Sequence, residues 1–360
     1  MDQVLLSRIA IIEAGCVTLT LVSLVAHAIW IGMRRRIAGP QVARAERALR
    51  DVLEGEAPIW GDLSTLIQLP RSAQIEIFSE LSTNLRGSQQ EELRALADDV
   101  GLLGQAERWC ASRRWFKRLR GARVMTLLGA GGMEIGALMD DRRPEVRAQA
   151  AQWAADHPDA EVVDRLLAML TDPARLCRFT VEDSLRRVGL AAVPGLLRQL
   201  AESEGSSLES ALDIATGIAD PRFLGPALAL CRAPDPRVRA LAAALAAAIG
   251  GAQVSDTLTG LLADRDAGVR AAAAHGLGKL AHWPAGAALA ERLRDSSWDV
   301  RRAAALALVA CGATGILLLR RALLDRDRFA RDMARQVLGA HEAGRRPQGR
   351  GTALPVQAAS

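Results

Sequence analysis

A repeat of about 31 residues constrains this chain more than any other feature of its sequence. The same motif occurs four times in the C-terminal half: DPRVRALAAAL from Asp235, DAGVRAAAAHGL from Asp266, SWDVRRAAALAL from Ser297 and DRFARDMARQVL from Asp327. RPEVRAQAAQWA from Arg143 belongs with them, and DPARLCRFTVEDSL from Asp172 is a weaker copy. A repeat of this length is too short to bury its own apolar side, so copies must stack in a row to form a continuous core.

One apolar position marks the repeats. It is occupied by Val146, Leu176, Leu208, Val238, Val269, Val300 and Ala330, with spacings of 30, 32, 30, 31, 31 and 30 residues. Leu119 starts a degenerate first copy 27 residues before Val146, and in two units Cys177 and Glu209 replace the arginine that follows the apolar position. Each unit has room for two short helices, such as 254–263 and 269–280, and the turn Asp or Ser can cap the second one.

The composition agrees with helices throughout. Aromatic residues make up 3% of the chain, and alanine and leucine, which favour helices, supply most of its apolar content. The predicted fold class is all-α: an N-terminal transmembrane helix, followed by an α-α superhelical solenoid of about seven to eight units over 116–340.

The D-x-x-V-R core of these copies resembles HEAT repeats, in the short variety related to phycobilisome-lyase (PBS-lyase) repeats. It departs from the common HEAT length of about 40–47 residues. The resemblance implies a solenoid whose concave surface, lined mainly by the second helices, binds a protein partner.

The recurrent arginines Arg147, Arg239, Arg270, Arg301 and Arg331 allow two interpretations. They could form a phosphate-binding stripe, or a structural ladder in which each pairs with a turn carboxylate of its own or an adjacent unit, as the HEAT resemblance implies; the candidates are Asp172, Asp235, Asp266 and Asp327. Seven of the 46 basic residues and two of the 41 acidic ones lie outside 40–344, so the body is neutral. A nucleic-acid binder concentrates positive charge on its body. We therefore predict the ladder and no nucleic-acid partner.

Residues 9–33 read as a transmembrane helix. Between Ile9 and Ile31 there is one charge, Glu13, and a helix of this length would measure about 34 Å. Trp30 and the triplet Arg34, Arg35 and Arg36 follow the pattern of a cytoplasmic membrane junction. This predicts a single-pass protein of a bacterial inner membrane, with residues 1–8 outside and the body cytoplasmic. A cleaved signal peptide ending near Ala26-His27-Ala28 is the alternative.

Residues 34–115 are predicted to be helices that link the membrane span to the array and cap it. This region and the start of the array resemble the N-terminal section of a family of bacterial membrane-anchored HEAT proteins. The basic stretch 113–123 is predicted to be a solvated helix face, with lipid head groups as the alternative contact. Residues 341–360 lack an apolar period and are predicted to be a disordered tail.

No catalytic, cofactor or metal site is predicted. The five cysteines are scattered and read as buried free thiols, and no phosphate loop or nucleophile motif occurs. Deoxyhypusine hydroxylase resembles this fold but needs several His-Glu pairs, and this chain has one, His341-Glu342. Trp153, Trp283 and Trp298 could be interface anchors or core side chains. The predicted function is a scaffold, not an enzyme, that holds protein partners in an inner-membrane complex. The alternative is a lyase-like or lyase-chaperone activity on a protein-bound cofactor.

Overall fold

A computed structural model describes residues 40–54, 63–82 and 85–345. All the regular secondary structure of these residues is helical. The chain divides into two compact units, 1–153 (unit 1) and 154–360 (unit 2). Each is described by itself.

Unit 1 consists of short helices joined by tight turns. They are α1 (40–53), α2 (Leu63–Gln68), α3 (Arg71–Ser82), α4 (Ser88–Asp99), α5 (Leu102–Cys110), α6 (Trp115–Leu127), α7 (Met133–Gly136), a 3-10 turn (Ala137–Asp140) and α8 (Pro144–Ala154), which ends at the boundary.

A buried glutamine and a glycine allow the helices of unit 1 to pack closely. Gln74 is fully buried and its side-chain amide donates to the carbonyl oxygens of Leu66 and Leu69 at the end of α2, at 2.7 and 3.2 Å. The Leu66 carbonyl also accepts the N–H of Leu69 at 3.1 Å, so the amide adds a second donor there and ties α3 to the end of α2. Gly121 lets α6 approach α5, because a Cβ there would lie 2.6 Å from the carbonyl oxygen of Ala106.

Unit 2 alternates two kinds of helix, called A and B in chain order. The A helices are α9 (Ala160–Ala168), α11 (Val193–Glu202), α13 (Leu224–Leu230), α15 (Ala252–Leu261), α17 (Gly286–Arg292) and α19 (Ala313–Ala322). The B helices are α10 (Arg175–Val188), α12 (Gly205–Ile218), α14 (Pro236–Ile249), α16 (Ala267–Lys279), α18 (Trp298–Ala310) and α20 (Arg328–Arg345).

Consecutive B helices stack on one another, and this stacking forms the core of unit 2. Small side chains make the stacking close. A Cβ on Gly276 of α16 would lie 2.9 Å from the Cβ of Ala247 in α14, and one on Gly278 would lie 2.8 Å from the Cα of Ala307 in α18. The alanine-rich sequence of the B helices therefore sets a short distance between neighbouring repeats.

The C-terminal helix runs further than the sequence suggested. α20 continues through Gly339 to Arg345, so His341 and Glu342 lie in a helix and not in a disordered tail. Gly339 does not end the helix, because it costs only about 1 kcal/mol relative to alanine and residues with good helix propensity follow it. The rest of the predicted tail, 346–360, lies outside the described residues.

The predicted location in a bacterial inner membrane is wrong. The finding that overturns it is that no helix within 40–54, 63–82 or 85–345 is both long and apolar enough to span a bilayer. The stretch on which that prediction rested, 9–33, lies outside the described residues. So do residues 1–8 and the four predicted junction residues Trp30, Arg34, Arg35 and Arg36.

Candidate functional site

One arginine contact recurs along the chain and defines the repeats more sharply than the apolar position does. In each case the Nη1 atom donates to the carbonyl oxygen six residues earlier, and in most cases also to the one five residues earlier, in the turn before the helix. These distances are 2.6–3.2 Å. The arginines that make it are Arg118, Arg147, Arg178, Arg239, Arg270, Arg301 and Arg331.

This contact corrects the sequence alignment at two repeats. Arg178 makes it, so the buried apolar position before it is Cys177, which is fully buried, and not Leu176, which is more than half exposed. In the first copy Arg118 makes it, so Leu119 is not the landmark. The sequence signal for both was an arginine about 30 residues from its neighbours, and we missed it because the residue before each arginine is not aliphatic. Glu209 does replace the arginine in its unit.

The other edge of the guanidinium reaches the turn of the next repeat in Arg118, Arg239 and Arg270. In unit 2, Arg239 donates from Nε and Nη2 to both carboxylate oxygens of Asp264, at 2.9 and 2.8 Å. Arg270 makes the same paired contact with Asp295 at 2.8 and 2.7 Å. In unit 1, Arg118 contacts Asp141 at 2.5 and 2.8 Å. Paired bonds between a guanidinium and a carboxylate are strong and directional, so each joins one turn firmly to the next.

The aspartates named from the sequence have a different role. Asp235, Asp266 and Asp327 accept backbone N–H groups at the start of their own helices, from Arg237, Val269 and Ala330 at 2.8, 3.1 and 2.9 Å. They cap those helices. The carboxylates that receive Arg239 and Arg270 lie two residues before this capping position in the following turn. Asp172 holds that earlier position, and accepts the N–H of Ala174 at 2.8 Å.

Arg301 on α18 does not make the paired contact with a carboxylate of the next turn. Arg301 is 8% exposed, and its Nη1 binds the carbonyl oxygens of Asp295 and Ser296, but its buried Nε has no hydrogen-bond partner within the described residues. Its guanidinium lies 4.8 Å from the ring centre of Phe329. Asp325, the carboxylate that would continue the series, binds Arg294 instead, at 2.7–3.1 Å.

The arginine contacts lower the pKa of the turn aspartates. For Asp264, the hydrogen bond from Arg239 is the main cause of a pKa below the usual value. For Asp295, burial acts to raise the pKa, but hydrogen bonds from Arg270 and from the N–H of Ser297 outweigh it, and the net shift is downward. Asp141 behaves like Asp295, with Arg118 as its partner. These carboxylates are therefore charged at neutral pH.

A pH dependence of stability follows from these shifts. A carboxylate whose pKa is lower in the folded state stabilises the fold above its unfolded pKa of about 3.9, and this stabilisation is lost as the pH falls through the folded value. We expect the free energy of unfolding to be level above about pH 5 and to fall below pH 4. Urea unfolding from pH 7 to pH 3 measures this. In an Asp264→Asn Asp295→Asn variant the free energy of unfolding should decrease less between pH 5 and pH 3. An equally large decrease would show that these two carboxylates do not cause the pH dependence.

The ladder arginines are poorly placed to bind phosphate. Each of Arg239 and Arg270 makes four hydrogen bonds within the protein, and their side chains are 16% and 12% exposed. A phosphate would have to replace a carboxylate already bound. Their arrangement suits a structural role.

Thiols and histidines do not form a reactive cluster in the part of the chain that the structure describes. Burial raises the pKa of Cys110 and Cys231 to about 11, so these thiols stay protonated at neutral pH and are poor nucleophiles. Within the described ranges, no group of three or more histidine, cysteine, aspartate or glutamate residues is placed to hold a metal ion.

Comparison with protein families identifies the repeats. A model of HEAT repeats matches residues 135–214, 221–309 and 261–339, together more than half of the chain. This chain belongs to the HEAT-repeat family. No curated protein matches it.

Solved structures with similar helical arrays are distant. An engineered protein is 18% identical with a TM-score of 0.37, covering 77% of this chain and 88% of its own. Human deoxyhypusine hydroxylase, in complex with glycerol, is 18% identical with a TM-score of 0.30, covering 68% and 96%. A chain of the structure in which Kap95p binding induces the switch loops of RanGDP to adopt the GTP-bound conformation is 13% identical with a TM-score of 0.49, covering 77% and 48%. None of these likenesses is close enough to transfer a function.

The solvent-exposed face of the B helices in the HEAT units carries apolar side chains. On α18, Trp298 and Leu306 are 50% and 45% exposed, and Arg302 lies between them with its guanidinium 5.5 Å from the Trp298 ring. A spacing of four residues places all three on one face of the helix. On α10 the corresponding face carries Phe179, which is 68% exposed.

Alanine occupies most of the matching positions on α16, which packs against α18, and on α14, the next B helix beyond it. The positions that match Trp298, Arg302 and Leu306 are Pro236, Ala240 and Ala244 on α14, and Ala267, Ala271 and His275 on α16. On this side of the array, the side chains of α14 and α16 are mostly short, whereas α18 carries two large apolar ones. We call the exposed residues of α14, α16 and α18 on this side the B-helix face.

The three tryptophans that the sequence left open fall into two classes. Trp153 is a core side chain: it is buried, and its indole N–H donates to the carbonyl oxygen of Ala130 at 2.8 Å. Trp298 lies on the B-helix face. Trp283 is also exposed, in the 3-10 turn Trp283–Ala285 before the A helix α17.

Proposed function

We propose that this protein is a scaffold that binds a protein partner on the B-helix face of unit 2. The observation that carries the proposal is the exposure of Trp298 and Leu306 on α18, which packs against α16 with its small residues Ala267 and Ala271. Large apolar side chains in a contiguous exposed patch mark interaction surfaces, and tryptophan is enriched among the residues that dominate binding energy.

The small neighbours of these side chains favour a helical partner. Alanine positions leave room for another backbone to approach, so a partner helix could pack its own larger side chains against α14 and α16. Arg302 holds the Trp298 ring in place through a cation–π contact, which reduces the entropy that the ring loses on binding. The surface is therefore partly ordered before a partner arrives.

We also infer that the repeats are of the short, PBS-lyase-like type. The arginines that contact their own turns recur at 29–31 residues wherever consecutive units keep them, as between Arg239, Arg270, Arg301 and Arg331. This spacing supports the short type, since common HEAT units have about 40–47 residues. The proposed scaffold role needs no cofactor.

The test is site-specific cross-linking followed by binding measurements. A photo-reactive residue at Leu306 should form discrete adducts with a partner in cells, whereas the same residue at Leu317, exposed on the A helix α19, should not. The partner is then purified and its Kd measured against the variants below. Equal adducts from both positions would count against the B-helix face.

Removing the apolar side chains should weaken that complex. We expect Trp298→Ala Leu306→Ala to raise the Kd at least tenfold, and about 30-fold if the pair supplies about 2 kcal/mol. Trp283→Ala is the matched control, because it removes a tryptophan that is 64% exposed, against 50% for Trp298, from the turn before an A helix, and it should leave the Kd unchanged. Isothermal titration calorimetry with the purified partner measures both. If Trp283→Ala raised the Kd more than Trp298→Ala Leu306→Ala does, the partner would instead contact the side of the A helices.

A further inference from the structure

An apolar groove with a basic rim lies in unit 1, outside the residues that match HEAT repeats. It has a volume of about 620 Å³ and runs between α3 and α6. The α3 wall includes Ile75, and the α6 wall includes Phe116, Leu119 and Leu127. We call it the α3/α6 groove.

Aromatic side chains at its end are exposed without any role in the core of unit 1. Phe116 is 51% exposed, and Trp115 beside it is 37% exposed. Their rings meet edge to face with centres 6.4 Å apart, and the Arg143 guanidinium lies 5.4 Å from the Trp115 ring. These contacts hold the two rings at the mouth of the groove, where an incoming apolar side chain would meet them.

The charged side chains that line this groove are both basic. Arg120 and Arg123 point to solvent along α6, and Arg120 lies 4.6 Å from the ring centre of Trp109. The surrounding stretch 113–123 contains five arginines and one lysine and no acid, and Asp141 neutralises only Arg118. Glu76 and Glu80 of α3 are exposed next to the lining residues but do not line the groove.

We propose that the α3/α6 groove binds an amphipathic helix of a partner protein that carries acidic residues beside an apolar ridge. The aliphatic and aromatic lining would take apolar side chains spaced at i, i+3, i+4 and i+7, which is how helices dock into grooves. Arg120 and Arg123 would pair with carboxylates on the flanks of that helix. α6 has 13 residues, so the contact extends about 20 Å, or three to four turns of the partner.

Single-stranded nucleic acid is the less suitable occupant. Basic and aromatic residues together can bind it, because bases stack on rings and phosphates pair with arginine. Here, however, the two aromatic lining residues are adjacent at the start of α6, and the aliphatic side chains along the rest of the groove, such as Ile75 and Leu127, offer no plane on which successive bases could stack. The apolar stretch 9–31 of this chain is also less suitable, because it carries a single acid, Glu13.

The experiment is a selection followed by binding. A displayed library of random 16-residue peptides is selected on the full chain and counter-selected on a Phe116→Ala Arg120→Glu Arg123→Glu variant. We expect enrichment of peptides with apolar residues at helical spacing and with aspartate or glutamate beside them. Enrichment of basic peptides, or of none, would overturn the proposal.

Selected peptides, labelled with fluorescein, are then measured by anisotropy against full-length variants. We expect Arg120→Glu Arg123→Glu and Phe116→Ala each to raise the Kd at least tenfold, and salt to weaken binding. Arg320→Glu Arg321→Glu is the matched control, with two exposed arginines of α19 in unit 2, and should have no effect. Circular dichroism confirms that each variant is folded.

Either of two further results would assign the α3/α6 groove to a different occupant. If a labelled poly-dT oligonucleotide binds more tightly than the peptides and competes with them, the groove is a nucleic-acid site. If a photo-reactive residue at Phe116 cross-links to residues 1–39 of the same chain and no peptide binds, the groove is filled by the chain itself. Trp298→Ala Leu306→Ala should leave peptide binding unchanged, so this proposal and the scaffold proposal can fail separately.

Discussion

Replacing Gly315 with alanine should lower the free energy of unfolding by about 3 kcal/mol. Gly315 is buried in α19, where a Cβ would lie 1.8 Å from the carbonyl oxygen of Leu308 and 2.6 Å from its carbonyl carbon. Both atoms belong to the backbone of α18, so no side-chain rotation relieves the clash. α19 would have to move away from α18 and lose the packing around Leu319, which is fully buried. Urea unfolding followed by circular dichroism measures the change.

Gly260→Ala is the control for this effect. Gly260 also lies inside an A helix, α15, but a Cβ added there would have no atom of another residue within 4 Å beyond its own helical turn. Alanine there should therefore stabilise the protein by about 0.5–1 kcal/mol, because it removes glycine's freedom in the unfolded chain. If Gly315→Ala proved as stable as Gly260→Ala, the close approach of α19 to α18 would be wrong.

Replacing Arg270 with alanine should cost about 3 kcal/mol of stability, close to the effect of breaking a buried ion pair. Four hydrogen bonds would be lost, two to Asp295 and two to the carbonyl oxygens of Asp264 and Arg265. The Asp295 side chain is only 5% exposed, so its charge would be left with little water. Chemical unfolding at pH 7 measures the loss.

An exposed pair provides the comparison. Arg186 of α10 binds Asp213 of α12, also between neighbouring repeats, but the two side chains are 35% and 57% exposed. Since water screens such pairs, Arg186→Ala should cost less than about 1 kcal/mol. Arg270→Lys should resemble Arg270→Ala more than wild type, because an ammonium group cannot make the paired contact. Equal losses from Arg186→Ala and Arg270→Ala would show that burial does not govern this ladder.

The sequence predicted the repeating helical array because its signal is local. Period, capping aspartates and alanine-rich second helices all lie within one unit, and each specifies a helix or turn by the geometry of its own segment. The carboxylate partners of the ladder arginines were harder to predict from the sequence. We expected Arg239 and Arg270 to pair with a turn carboxylate of their own or an adjacent unit and named Asp235 and Asp266 among the candidates, but the partners are Asp264 and Asp295, about 25 residues later in the adjacent unit.

The repeat sequence by itself therefore determined an all-helical array of HEAT units and, outside the units of Leu119 and Leu176, the phase of the repeats, since hydrophobic spacing and turn residues act within about 31 residues. Tertiary structure decided which carboxylate each arginine reaches, that Arg178 is the repeat arginine of its unit, and which tryptophans remain exposed. It also formed the α3/α6 groove from two helices about 40 residues apart. These features depend on how closely neighbouring helices pack, a distance set by side chains such as Gly278 and Ala307 that are far apart in the chain and meet only after folding.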